Sequence, residues 1–266
     1  MSWIGPPALD KVVLFMLVFT RTSGLVMTAP VFGKNQIPTQ VRVLLALALA
    51  VLVMPSQWDR AVQSPATLLN LLILVAGELI VGLCLGLGVD ILFSGTQLAG
   101  QLIGRISGET MAEVYDPSVD DSLPILSQFL NMLALAVFVC IGGHRLVIAA
   151  LLDTFQSIPP GGTGIPADMA GALTTLLAQS FSLGIRAVAP VMTALLLGSL
   201  VVGLIGRTLP QLNVMALGFG VNALVSYGAL AMTLGATVWA FQSQIEPALE
   251  TLLDALHVSL RTNLIL

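Results

Sequence analysis

Charge is scarce in this chain. Ten lysines and arginines and fourteen aspartates and glutamates make up 9% of its 266 residues, and 56% are hydrophobic. Soluble domains carry about 25% charged residues, so a soluble globule is excluded. No basic cluster exists, which leaves nucleic acid without an electrostatic footprint to bind. Cysteine is scarce too. Cys84 and Cys140 both lie in apolar runs, which predicts two small core residues and, without metal-ligand spacing, neither metal nor redox chemistry. Histidine occurs twice, as His144 after a glycine pair and as His257 near the end. No Ser/His/Asp set, HExxH motif or phosphate loop accompanies them, so no enzyme site is read and no cofactor is expected. Asp10 and Lys11 precede an apolar run that lacks a small-residue cleavage site, so that run is expected to be retained.

What the chain has is long apolar runs. They cover about 12–32, 41–55, 66–104, 123–152, 169–205 and the residues after 214 up to about 242. Their length and their alanine and leucine content exclude the roughly ten-residue alternation of an outer-membrane barrel. In a bilayer the remaining solution is helices, which satisfy their own backbone groups. The fold class is therefore all-α: a polytopic membrane protein with about six hydrophobic helical segments, kinked helices and hairpins. The run 41–55 is short for a span. Turns are expected at "GKNQIPTQVR" (33–42) and "SIPPGGTGIP" (157–166), whose prolines and glycines oppose regular structure. Trp58 is expected at an interface. The tail 246–266 sets Leu249, Leu252, Leu253, Leu256 and Leu260 at helical spacing among Glu250, Asp254 and Arg261, which predicts a short amphipathic end helix. On a six-span scheme Lys34, Arg42, Arg105 and Arg207 share one side and Lys11, Arg60 and Arg261 the other. That balance sets no orientation.

Several residues contradict their apolar setting. Arg21, Glu78, Asp90 and Arg186 are charges within runs, with Arg145 at the edge of one. Such charges are costly at membrane depth and pair or face protein. Glu78 and Asp90 would stand about 18 Å apart along one helix, too far to act as a carboxylate pair. Ion pairs within or between subunits are favoured over a proton relay, for which no motif is present. Gly82 and Gly86, and Gly100, Gly104 and Gly108, recur at spacings of four. This allows close helix packing, inside the chain or against other subunits. Segment 105–122 gathers Glu109, Glu113, Asp116, Asp120 and Asp121 around Met111, Val114 and Tyr115. It reads either as an extramembrane loop or as a loop folding back into a lumen. The stretch "GRTLPQLNVMALGF" (206–219) sets Arg207, Pro210, Gln211 and Asn213 between apolar runs. Pro210 breaks a helix, and the amides and the cation can serve the freed carbonyls. An exposed turn between spans is the alternative.

Four blocks, in order, resemble the FliR family of the bacterial flagellar type III export apparatus. They are "RTSGLVMTAPVFGKNQIPTQVRVLLALALA" (21–50), "QLAGQLIG" with "YDP" (97–104 and 115–117), "GGHRLVIAALLDTFQSIPPG" (142–161) and "RTLPQLNVMALGF" (207–219). The likeness runs from about residue 12 to 242. It implies one export-gate domain over 1–266, built with FliP-like and FliQ-like subunits, touching FlhB-like and FlhA-like membrane proteins, and passing unfolded flagellar subunits. It implies the bacterial inner membrane and the flagellar basal body. It further implies that 105–122 is a plug loop whose apolar positions fall on Met111 and Val114. The family more often has phenylalanine there, and Tyr115 is placed to supply the bulk. An injectisome counterpart of the SctT type is the nearest alternative. A small secondary transporter is another, but its two halves would carry matching broken helices, and no such repeat is visible. A polytopic membrane enzyme would need acids or histidines clustered at one face, and the acids of 109–121 come without histidine.

Overall fold

A computed structural model describes residues 6–32, 37–58, 60, 65, 67–108, 124–162, 169–209, 211 and 214–263. Among these the regular structure is helical: α1 (Pro6–Thr28), a short 3-10 turn (Pro30–Phe32), α2 (Thr39–Gln57), α3 (Leu68–Ser107), α4 (Ile125–Ile141), α5 (Gly143–Ser157), α6 (Met169–Thr208) and α7 (Val214–Asn263). Five helices are long and apolar enough to cross a membrane, and six if α4 and α5 count as one bent span. The all-α polytopic architecture is thereby established.

The run 123–152 does not form a single helix. It breaks between α4 and α5 with a bend of 69°. Gly142 is the cause: its φ of 83° and ψ of 22° lie in the left-handed region, which a glycine enters without the Cβ penalty. The tail likewise forms no separate end helix. Residues 246–263 continue α7 through Pro247, with Leu249 and Leu252 buried and Glu250 and Asp254 exposed.

The residues pack into two compact units. The first comprises Met1–Ile91, Gly142–Leu177 and Glu246–Leu266, and the second Leu92–Ile141 and Ala178–Ile245. In the first, α1 and α2 meet over Val26, Ala46 and Leu49, with Phe19, Phe32 and Leu45 around them. The Thr22 hydroxyl lies 3.3 Å from the Ala46 carbonyl. A methyl group on Gly88 would strike the side chain of Leu252, so the end of α7 lies directly on α3. In the second unit Ala99, Ile103, Leu126, Leu130, Val191 and Leu195 form the centre of an apolar cluster. Lipid tails are as apolar as leucine, so this packing gains from close fit rather than from escape from water. Small residues provide the fit. A Cβ on Gly95 would meet Ser180, and one on Gly100 would meet the backbone of Ser127. Hydroxyls and amides tie the same helices: Ser94 to Ser180 at 3.2 Å, Gln97 to Asn131 at 3.1 Å, and the Ser127 hydroxyl to the Gln97 carbonyl at 3.0 Å.

Candidate functional site

The charges in the apolar runs have distinct fates. Arg21 and Glu78 meet in the first unit, fully out of solvent, with relative exposures of 0% and 3%. Glycines bring the helices close enough. A Cβ on Gly82 would collide with the Arg21 carbonyl, and one on Gly24 would lie 2.9 Å from the Leu79 carbonyl and 3.0 Å from the Leu83 nitrogen. The Arg21 Nε then donates to the Glu78 carboxylate at 2.6 Å. Its Nη1 donates to the carbonyls of Thr154 and Ile158, each at 3.0 Å, and the guanidinium lies 4.3 Å from the centroid of the Phe155 ring. These carbonyls belong to the last turn and cap of α5, where a helix has unpaired acceptors and a negative dipole end. One arginine from α1 thus closes another helix, and ring stacking adds a cation–π contribution.

Why α5 stops there follows from the sequence. Ile158 precedes Pro159 and takes an extended conformation, with φ −119° and ψ 95°, as residues before proline do. Pro159–Gly162 then turns back. The Gly162 N–H reaches the Pro159 carbonyl at 2.9 Å and Gly161 has φ 85°. Proline second and a positive-φ glycine third are the marks of a type II turn. The Gly161 N–H is left to donate to the other Glu78 oxygen at 2.9 Å. Both carboxylate oxygens therefore accept from this chain's own groups. The cluster is built to hold α1, α3, the end of α5 and the turn together, and its geometry is that of an ion pair rather than of a relay. The run of prolines and glycines after α5 was visible in the sequence, but its attachment to Glu78, 83 residues away, was not.

The other singled-out residues are placed as follows. Asp90 is half-buried on α3 and has an interaction within the chain. Arg186 is exposed on α6, so of the two expected fates, an ion pair within the chain or one between subunits, its place among the described residues fits only the second. Val188, two residues further on and so on the opposite side of the helix, is buried. Gly104 is buried in α3. Gly108 is no packing glycine: with φ 86° it follows the last residue of α3, the position where glycine ends helices. Cys84 is half-buried, but Cys140 is exposed, which overturns the expectation of two core cysteines. Its apolar run is the outer face of α4, where Met132 and Val139 are exposed as well. α6 ends at Thr208 and α7 begins at Val214. Arg207 is exposed in the last turn of α6 and Gln211 is exposed in a turn. Pro210 and Asn213 lie outside the described residues, as do Met111, Val114 and Tyr115. Among the described residues no group of three or more His, Cys, Asp or Glu is placed to hold a metal.

The order of these features along the chain matches a known pattern. The family model for bacterial export proteins, family 1, matches residues 12–248. The chain belongs to that family. Its relatives carry the name flagellar biosynthetic protein FliR. That of Escherichia coli (strain K12) is 30% identical over 231 residues, covering 87% of this chain and 85% of the relative. That of Caulobacter vibrioides is 31% identical over 232 residues, covering 86% and 92%. That of Bacillus subtilis (strain 168) is 28% identical over 255 residues, covering 93% and 96%. With its apolar membrane-length helices, this member of the export family is a membrane-embedded component of flagellar biosynthesis that works among other export-apparatus components.

Proposed function

We propose that this chain is a core subunit of the flagellar type III protein export gate in the bacterial inner membrane, at the flagellar basal body. With FliP-like and FliQ-like subunits it forms a channel for unfolded flagellar subunits, and FlhB-like and FlhA-like membrane proteins adjoin it. One observation carries the need for protein partners. Large apolar side chains are exposed along α6 from Leu177 to Leu204 and along α7 from Leu224 to Trp239. From Leu177 to Leu204 the α6 stripe alone runs about 40 Å along the helix, against a hydrocarbon core of roughly 30 Å. Unless the helix tilts steeply, lipid covers only part of such a face, and other subunits cover the rest. The names of the relatives support a flagellar setting over an injectisome one.

In this reading segment 105–122 enters the channel, with Met111, Val114 and Tyr115 forming an apolar constriction that stops ions by dewetting. The break at Arg207, Pro210, Gln211 and Asn213 turns the chain between two helices beside the gate. The test is affinity purification of the tagged chain expressed with its chromosomal neighbours, followed by native mass spectrometry. One copy bound to several FliP-like and FliQ-like subunits is expected. A stable monomer or homodimer without them would overturn the proposal.

A further inference from the structure

The outer face of α6 carries an arginine with no partner among the described residues. Arg186 is exposed and its guanidinium has no ion pair or hydrogen bond among the described residues. Beside it Phe181 and Ile185 are exposed at 49% and 56%, and Ala189, Pro190 and Thr193 are exposed too. Pro190 lies inside the helix and has no N–H, so the Arg186 carbonyl four residues back lacks its helical donor. One turn of an apolar wall thus presents a cation and a spare acceptor.

Depth arithmetic leaves protein as the cover. If the bilayer core takes the charge-free residues between Arg186 and Arg207, then Leu177, Phe181 and Ile185 stand outside it as an exposed apolar patch next to Arg186, which marks a protein contact. If the core begins at Leu177 instead, Arg186 lies about 14 Å inside it, where a charge pairs or faces protein. A tilt near 40° would fit the whole stripe into the core and still hold Arg186 about 10 Å deep. In each placement the surface around Arg186 meets protein. The apolar neighbours do not suit a water-filled lumen, and Ala189 and Thr193 leave room for a close helix.

We infer that the α6 face around Arg186 docks a membrane helix of a partner subunit, which sets a carboxylate against the guanidinium. The inference rests on the gate reading and names the chemistry of one of its contacts. A charge-assisted pair there also fixes the depth of the partner helix, since a slip of one turn would separate the charges.

The experiment places a photo-crosslinking amino acid at Ile185 and, separately, at Ala189 of the full chain, produced in membranes with its neighbouring gene products. The expected adduct joins the chain to a membrane subunit at a helix bearing Asp or Glu. Arg186→Glu removes this adduct, and reversing the partner's acid to Arg restores it, which a merely misfolded variant would not allow. Adducts to lipid alone, or to this chain's own acidic segment, in a complex that still co-purifies would overturn the docking and leave the gate reading standing. So would an Arg186→Glu chain that crosslinks unchanged. A wild-type chain that purifies without other membrane subunits would overturn both.

Discussion

Arg21 shows how much one side chain can organise. It makes an ion pair, caps a helix it does not belong to and stacks on a ring. Removing it leaves the Glu78 carboxylate buried without its cation and with only the Gly161 N–H as donor, and breaking a buried pair on one side costs about 3–5 kcal/mol. Arg21→Ala is therefore expected to lower the thermal midpoint of the detergent-solubilised complex sharply. Arg21→Met combined with Glu78→Leu should recover most of the loss, because no charge is then stranded. Equal loss in the single and double variants would mean that the pair itself is not what holds the site. Both charges could be picked out in the sequence, because an arginine and a glutamate in apolar runs need an explanation. Their company could not, since Thr154 and Ile158 are 133 and 137 residues from Arg21 and present backbone carbonyls, which every residue has. Arg186 could be picked out on the same ground, but its facing could not. Position inside an apolar run says that a charge is unusual, while the direction it faces depends on which side of the helix its neighbours bury.

At the scale of elements, the sequence revealed the helices better than their joints. α3 and α6 were expected over 66–104 and 169–205 and extend over Leu68–Ser107 and Met169–Thr208, since long uncharged runs leave few other solutions in a bilayer. The glycine pair before His144 signalled a helix break but not its angle, because glycine is also common within membrane helices, and only the backbone angle distinguishes a hinge from a packing site. Gly108 taught the same lesson in reverse, sharing a four-residue spacing with true packing glycines while ending the helix. The left-handed angle at Gly142 makes a test. Gly142→Ala should destabilise by about 1–2 kcal/mol, seen as a lower thermal midpoint. An unchanged midpoint would mean that the joint between α4 and α5 relaxes without penalty.

For the whole molecule, composition alone established membrane residence, and the helices agree with it. Orientation was never readable, because basic residues are nearly balanced between the two sides of the six-span scheme. The proposed plug is open to a direct measurement. Replacing Met111, Val114 and Tyr115 together by glycine should raise ion conductance through the assembled complex in planar bilayers, because an apolar constriction excludes ions by dewetting. Conductance equal to that of the wild type would remove these residues from the seal.

The buried pair also has a history within each molecule's own synthesis. Arg21 leaves the ribosome 57 residues before Glu78 and 137 before Ile158. At bacterial elongation rates of about 5–20 residues per second, the second interval is on the order of ten seconds. Through the first interval the helix carries a cation with none of these partners made, and through the rest it has Glu78 but not yet the carbonyls of Thr154 and Ile158. It must wait at a watery or lipid headgroup boundary, or beside the insertion machinery, and settle to its final depth only after the turn at Pro159–Gly162 has been made. α1 is then made before its partners and is among the last of these helices to be finished.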